Sequence, residues 1–360
     1  MTLKTTAPGK MILLGEYAVL EGAPALVCAV DRYAVIRTQK RDDNRFCVDS
    51  SSIHVKPVDF EVTASGLIGF DSNTDSVSRK KLNFFKVTFE FAWQYFKALG
   101  IKIPPSHFSM NTNLFYSPDL TKKYGFGSSA AMTVALFSGL FRLAGLSFEE
   151  GEDRARLFRL ALGAHRKAQG NLGSGIDIAA STYGGMLVFK MLLDKEAKQV
   201  APQPVDICQG LYMTPVWTGS SESTRKMIRS VSQLKKENQN VYHDVINKLT
   251  GLSEHGCLAY REHDVAKFMS IVREYYEVLA FLGNKSDTPI ISPVHQKLAE
   301  LVGAAGGVYK PSGAGSGDIG IAFSDNPEKK ANIIEKVRLE GYQTIDIVPA
   351  SAGASSAILN

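Results

Sequence analysis

Several features are scarce in this chain, and each scarcity excludes something. Its four cysteines, Cys28, Cys47, Cys208 and Cys257, form no C-x-x-C pair. A zinc knuckle and a thioredoxin-like motif are therefore excluded, and the scattered thiols suit a reducing compartment. No run approaches the roughly 20 apolar residues that span a bilayer. The opening segment has only a short apolar run, Met11 to Leu14, too brief for a signal-peptide core. Lys and Arg number 41 against 36 Asp and Glu, a net charge of +5. That mild, dispersed excess suits a small anionic molecule and argues against nucleic acid. Doublets such as Lys122-Lys123 and Lys329-Lys330 read as solvated faces or turns. No G-x-x-x-x-G-K-[ST] string occurs, so there is no Walker A loop. The expectation is a cytoplasmic protein with no membrane or nucleic-acid partner, as monomer or homodimer.

What is present is a globular composition, 44% apolar and 21% charged over 360 residues. At about 100–200 residues per domain, two domains are expected. The polar stretch 192–209, with Pro202 and Pro204, marks the boundary, giving domains 1–195 and 196–360. Residues 25–39 read as strand–turn–strand around Asp31-Arg32. Aromatics recur at helical intervals over 82–99 and stop at Gly100, while 130–143 is apolar nearly all round and predicts a buried helix. The second half shows helical patterns over 221–249 and 253–282. A glycine-rich hairpin over 306–323, a helix over 327–340 and a strand over 342–348 follow. This predicts an α+β layer with helices against an antiparallel sheet.

Three glycine-rich loops stand out. Gly125-Phe126-Gly127-Ser128-Ser129-Ala130-Ala131 runs straight into the apolar helix. A helix start carries unpaired N–H groups and the positive end of the dipole, so it takes anions readily. Ser128 and Ser129 add hydroxyls for phosphate or Mg²⁺, or else simply cap the helix. The second loop, Gly170-Asn171-Leu172-Gly173-Ser174-Gly175-Ile176-Asp177, puts a carboxylate after a flexible turn. Asp177 could serve as a metal or lysine partner or a proton acceptor, or cap the helix that follows. The third, Lys310-Pro311-Ser312-Gly313-Ala314-Gly315-Ser316-Gly317-Asp318, looks like a dinucleotide turn. A strand pattern, not a helix, follows it, which disfavours NAD. Finally, Lys10 sits between the Pro8-Gly9 turn and an apolar strand, where its stem is held and its ammonium aimed.

These segments, in this order and spread over most of the chain, resemble the motifs of the GHMP kinase superfamily. Pro8-Gly9-Lys10 to Glu16-Tyr17-Ala18-Val19-Leu20, the Gly125 loop and Gly313 to Asp318 match its first, second and third motifs. Ala168-Gln169-Gly170-Asn171 leading to Asp177, Lys310 to Gly315, and the segment from Trp217 to Thr224 are most similar to phosphomevalonate kinases. Mevalonate kinases carry a metal-binding Glu some ten residues before the Asp. Here Ala164-His165-Arg166-Lys167 is basic.

The resemblance implies an α+β fold of two domains: an N-terminal ATP-binding α/β domain with a left-handed βαβ crossover, and a ferredoxin-like C-terminal domain, with the active site between. It implies ATP and Mg²⁺ as cofactors, with phosphates on Gly125, Gly127, Ser128, Ser129 and Ala130 and the metal on Ser129. Lys10 and Asp177 are implied as catalytic. The acceptor, a small anion, is expected to meet Glu16, Tyr17, His165, Lys167, Gln169, Ser174, Ser220, Ser221, Ser312, Gly313, Ala314 and Gly315. Arg166 and Arg225 are further cationic candidates. Adenine contacts are placed by analogy within 65–86. The implied reaction is phosphoryl transfer from ATP to 5-phosphomevalonate. The rivals are mevalonate kinase or another alcohol kinase of this superfamily, and a non-catalytic metabolite-binding regulator on the same fold.

Overall fold

The computed structural model describes residues 2–119, 121–171, 173–192, 201–221 and 224–359. The sequence boundary at 195/196 lies outside the described residues. Alternation of half-buried and buried positions starts the first strand, β1 (Thr2–Leu14), which is buried from Ala7 onward except at Lys10. It pairs with β2 (Pro24–Lys40), and the register shifts at Pro8/Gly9. β3 (Phe46–Ser50), β4 (Val55–Val62), β5 (Ile68–Phe70) and β6 (Ser106–Asn111) extend the sheet. β3 and β6 are parallel, joined through helices α1 (Ser76–Lys81) and α2 (Asn83–Ala98). The aromatics expected on α2 are core residues: Phe85, Phe89 and Phe96 are buried, and Phe60 and Phe108 pack against them.

The buried helix of the sequence reading is α3 (Ser128–Leu143), whose Val134 to Phe141 are almost wholly inaccessible. The amphipathic α4 (Gly151–Ala168) and the short α5 (Ile176–Tyr183) pack with it against β1 and β2. β7 (Met186–Lys190) pairs with β2, and β8 (Gln203–Val205) with β7.

Beyond this, β9 (Tyr212–Trp217) leads to α6 (Thr224–Glu237), α7 (Gln239–Arg261), α8 (Val265–Lys285) and α9 (Pro293–Ala304). Two continuous helical patterns thus become three helices. Asn238 and Asp264 accept from Val241 and Lys267 amides and start new helices where hydrophobic period alone shows no break. β10 (Val308–Pro311) and β11 (Ile319–Ser324) form the glycine-rich hairpin, followed by α10 (Pro327–Leu339) and β12 (Gln343–Thr344). The antiparallel order is β10-β11-β9-β12, that of a ferredoxin-like sheet.

Two local expectations change. No turn interrupts β2 at Asp31-Arg32: the Asp31 amide donates to the Val348 carbonyl and Arg32 Nη2 to that of Asp346, holding the segment extended. For the same reason most of 342–348 is no regular strand, being spent on these contacts. The small-residue tail then returns to the first sheet, where β13 (Ser355–Leu359) pairs antiparallel with β1.

On its way the tail crosses α5 so closely that a Cβ on Gly353 would lie 2.1 Å from the Thr182 carbonyl oxygen. Backbone cannot yield there, so Gly353→Ala is expected to cost about 1–3 kcal/mol. Gly251→Ala, where the added methyl meets open space in α7, should instead gain up to about 1 kcal/mol. Denaturant melts of the two variants check both signs.

Candidate active site

A cleft of about 300 Å³ gathers the three glycine-rich loops and the lysine of β1. Its construction begins at Gly9, where a side chain would strike the Phe126 carbonyl at 2.7 Å. Without one, the Lys10 amide donates to that carbonyl at 2.8 Å. Gly127, with φ of 81°, lies over the Lys10 stem. The Lys10 ammonium then reaches the Gly125 carbonyl at 3.1 Å. Desolvation draws the Lys10 pKa below the ordinary lysine value, opposed by the nearby charges of Asp177, Asp318 and Glu16.

The N-cap of α3 is Gly127, which has no side chain to occupy the helix start. The serines are therefore in the first turn instead of capping it. Ser129 Oγ is 3.2 Å from His165 Nε2, which also lies 3.2 Å from the Gln169 amide nitrogen and 3.9 Å from Asp177 Oδ2. Asp177 splits its oxygens: Oδ1 accepts the Ile178 N–H at 2.9 Å in the first turn of α5, and Oδ2 faces His165. Gly175, with φ of 89°, caps that helix and turns the chain into it. Arg166 joins the wall, its Nη2 donating to the Ser174 carbonyl at 3.2 Å.

Opposite these, Lys310 and Glu16 form a fully buried ion pair at 2.5 Å. The Gly313 amide donates to the same Glu16 oxygen at 3.3 Å, and Tyr17 Oη donates to the Ala314 carbonyl at 2.6 Å. Burial, helped by the Glu16 charge, pushes the Tyr17 phenol well above its usual value, so it stays a donor.

Lys10, Asp177, Gly125, Gly127, Ser128 and Ser129 line this cleft. So do Glu16, Tyr17, His165, Gln169, Ser174, Ser221, Ser312, Gly313 and Ala314. Four expected residues, Ala130, Lys167, Ser220 and Gly315, stand outside the lining. Ala130 has its methyl in the core and can offer only backbone. Lys167 is exposed, because two residues beyond His165 is about 200° around a helix. The Ser220 carbonyl accepts the Asp318 amide, bracing the hairpin from outside. Gly315 packs on the Ile290 carbonyl. Arg225 is exposed, and its Nη2 is 3.4 Å from the Ala168 carbonyl.

Lys123, Phe115, Thr224, Ile228 and Asp318 also line the cleft. Asp318 closes the third motif and could have been named from it, whereas Lys123 was set aside with its doublet and Ile228 leaves no sequence signal. Within 65–86, Asp71, Asn73, Thr74, Asp75 and Ser78 line a separate cavity of about 670 Å³, with Arg41 and His54 on its other side.

Residues 86–185 match the family model for the GHMP kinases N terminal domain. It is 27% identical to a phosphomevalonate kinase of Streptomyces sp. (strain CL190), with 98% of each chain covered. It is 23% identical to a mevalonate kinase of Thermococcus sibiricus, covering 96% of this chain and 95% of that one. The solved structure of Streptococcus pneumoniae phosphomevalonate kinase in complex with phosphomevalonate and AMPPNP superposes with a TM-score of 0.79 at 19% identity, covering 97% and 99% of the two chains. The two-domain α+β fold is that of GHMP kinases.

Trp217, one of two tryptophans, stands edge-on to Tyr124 with ring centroids 5.4 Å apart, next to Gly125. Trp93 is packed beside Phe46 and Phe89 in the aromatic core. If a nucleotide occupies the loop at Gly125, titrating an ATP analogue changes tryptophan emission in Trp93→Phe and leaves it flat in Trp217→Phe.

Proposed function

We propose that this chain, with its GHMP kinase N-terminal domain, transfers the γ-phosphoryl group of ATP to the phosphate of 5-phosphomevalonate, giving 5-diphosphomevalonate and ADP. One observation carries the reading: the uncapped start of α3, the Lys10 ammonium and the Asp177 carboxylate converge on one cleft, with His165, not a carboxylate, between Ser129 and Asp177. Phosphoryl transfer asks a protein chiefly for positioning and for neutralisation of spreading charge. The amides of 125–130 receive the β- and γ-phosphates, and Lys10 offsets charge on the transferring group. Basic His165 and Arg166 favour an acceptor that is itself a phosphate. Glu16, Tyr17 and the loop from Ser312 to Ala314 enclose its other end.

Among the described residues no three His, Cys, Asp or Glu side chains form a ready-made metal site. Mg²⁺ asks for less, since it keeps several waters and binds through one or two protein groups together with substrate phosphates. The Ser129 hydroxyl, with Asp177 Oδ2 nearby across His165, fits that demand. Bound there, the ion would neutralise phosphate charge.

The role of Asp177 follows from the acceptor. An alcohol must lose a proton during attack, whereas a phosphate monoester, with a second pKa of about 6, is already largely dianionic at neutral pH. Asp177 therefore orients Lys10 and balances its charge instead of taking a proton.

An acceptor panel with ATP and Mg²⁺ tests the assignment: ADP release is expected with 5-phosphomevalonate and not with mevalonate. Preference for mevalonate would replace this reading with the alcohol-kinase one. Inactivity with every acceptor, despite nucleotide binding, would favour a metabolite-binding regulator. Asp177→Asn should lower kcat by about tenfold or less, against the ~10²–10⁴ lost with a general base. Complete loss of turnover with nucleotide binding intact would refute the orienting role.

A further inference from the structure

The third glycine-rich loop is held from the front by the cleft and from behind by groups outside it. In front, Tyr17 Oη donates to the Ala314 carbonyl, and Ser312 Oγ accepts the Ile12 amide while donating to the Ile12 carbonyl. Behind, the Ser316 amide donates to the Ile290 carbonyl at 2.9 Å. The Asp318 amide donates to the Ser220 carbonyl, and Thr218 Oγ1 donates to the Asp318 carbonyl. A further support is His295 on α9, completely buried and absent from the cleft lining.

His295 joins the stem of the hairpin to its tip. Its Nε2 is 3.3 Å from the Gly317 carbonyl, and its Nδ1 is 2.8 Å from Tyr309 Oη on β10. A carbonyl only accepts, so Nε2 carries the proton. In the neutral ring Nδ1 is then the acceptor, and Tyr309 donates. Burial, with the charge of Lys310 nearby, lowers the imidazole pKa to about 4, so the ring is neutral under ordinary conditions. Tyr309 is fixed in turn, because its hydroxyl occupies the space over Gly320, where a Cβ would come within 1.9 Å.

The tip needs such support. Ser316 and Asp318 have φ of 68° and 59°, alongside Gly313 at 104° and Gly315 at 84°. Non-glycine residues hold left-handed conformations only where their surroundings over-determine them. The Gly317 carbonyl lies between Ser316 and Asp318.

We propose that His295 is a positioning residue for the acceptor loop. Its Nε2–H fixes the Gly317 carbonyl and thereby the aim of Gly313 and Ala314 into the cleft, so acceptor recognition depends on a side chain that never touches the acceptor. This rests on the acceptor-kinase reading above. Gly313 and Ala314 are tied to Glu16 and Tyr17, so the effect falls on the acceptor more than on ATP.

The test compares His295→Leu, His295→Gln and Tyr309→Phe with the unaltered full chain. His295→Leu should raise the KM for 5-phosphomevalonate about tenfold, leaving kcat and the KM for ATP within roughly threefold. His295→Gln, whose amide N–H can stand where Nε2–H stands, should return the acceptor KM to within about threefold of the starting value. Hydrogen–deuterium exchange of the amides in 313–318 supplies a readout that needs no substrate. It should speed up about tenfold in His295→Leu and be near normal in His295→Gln. Equal rises in both KM values, failure of Gln to rescue, or unchanged exchange in His295→Leu overturns the proposal. If His295→Leu does not fold, Tyr309→Phe carries the test, with faster exchange confined to 313–318 expected and normal exchange decisive against. Should the unaltered chain turn over no phosphorylated acceptor, the functional reading fails, while the exchange arm still decides the His295 tie.

Discussion

Everything in the cleft depends on one backbone approach, that of the Phe126 carbonyl, in the first glycine-rich loop, to Gly9 and the amide of Lys10. Lys10 binds the loop twice, through its amide to Phe126 and through its ammonium to Gly125. The cation and the open helix start are thus parts of one rigid unit, and neither can drift without the other. Preorganisation of this kind is what charge stabilisation in a partly dry site requires, since no dipole has to be turned during the reaction. The register shift at Pro8/Gly9 is the price of admitting the loop.

The charges around that unit are arranged in two tiers. Lys310 and Glu16, both buried, are paired with each other. A buried pair of this kind adds little net stability, because desolvation consumes most of the attraction. It does hold Glu16 against the Gly313 amide and so joins the first motif to the third. Lys10 feels the fields of Asp177 and Asp318, one from each flanking loop, and of Glu16 on its own segment. Two of the charges that oppose its desolvation therefore reach it only once both halves of the chain have assembled.

Much of this was legible in the sequence, for physical reasons. An anion-binding helix start must combine permissive backbone with an apolar continuation, and Gly125 to Ala131 followed by 132–143 shows that combination directly. The strand after Gly317 likewise declared itself by its apolar run. Residue type alone failed where geometry decides. Lys167 has suitable chemistry but the wrong helical phase, and Gly315 serves packing against Ile290. Long-range pairing was invisible: Asp31-Arg32 looks like a turn until 346–349 is laid beside it. The contact of Trp217 with Tyr124 and the tie from His295 to Gly317 join segments that no local pattern connects.

The pairing of β13 with β1 has a consequence for how the molecule is made. The strand that carries Lys10 is made long before residues 355–359, and one of its two edges finds its partner only when they have been translated. Until then that edge offers open amides and carbonyls to any neighbouring chain. Vectorial synthesis therefore leaves the lysine-bearing sheet unfinished while all the residues between these two strands are being added.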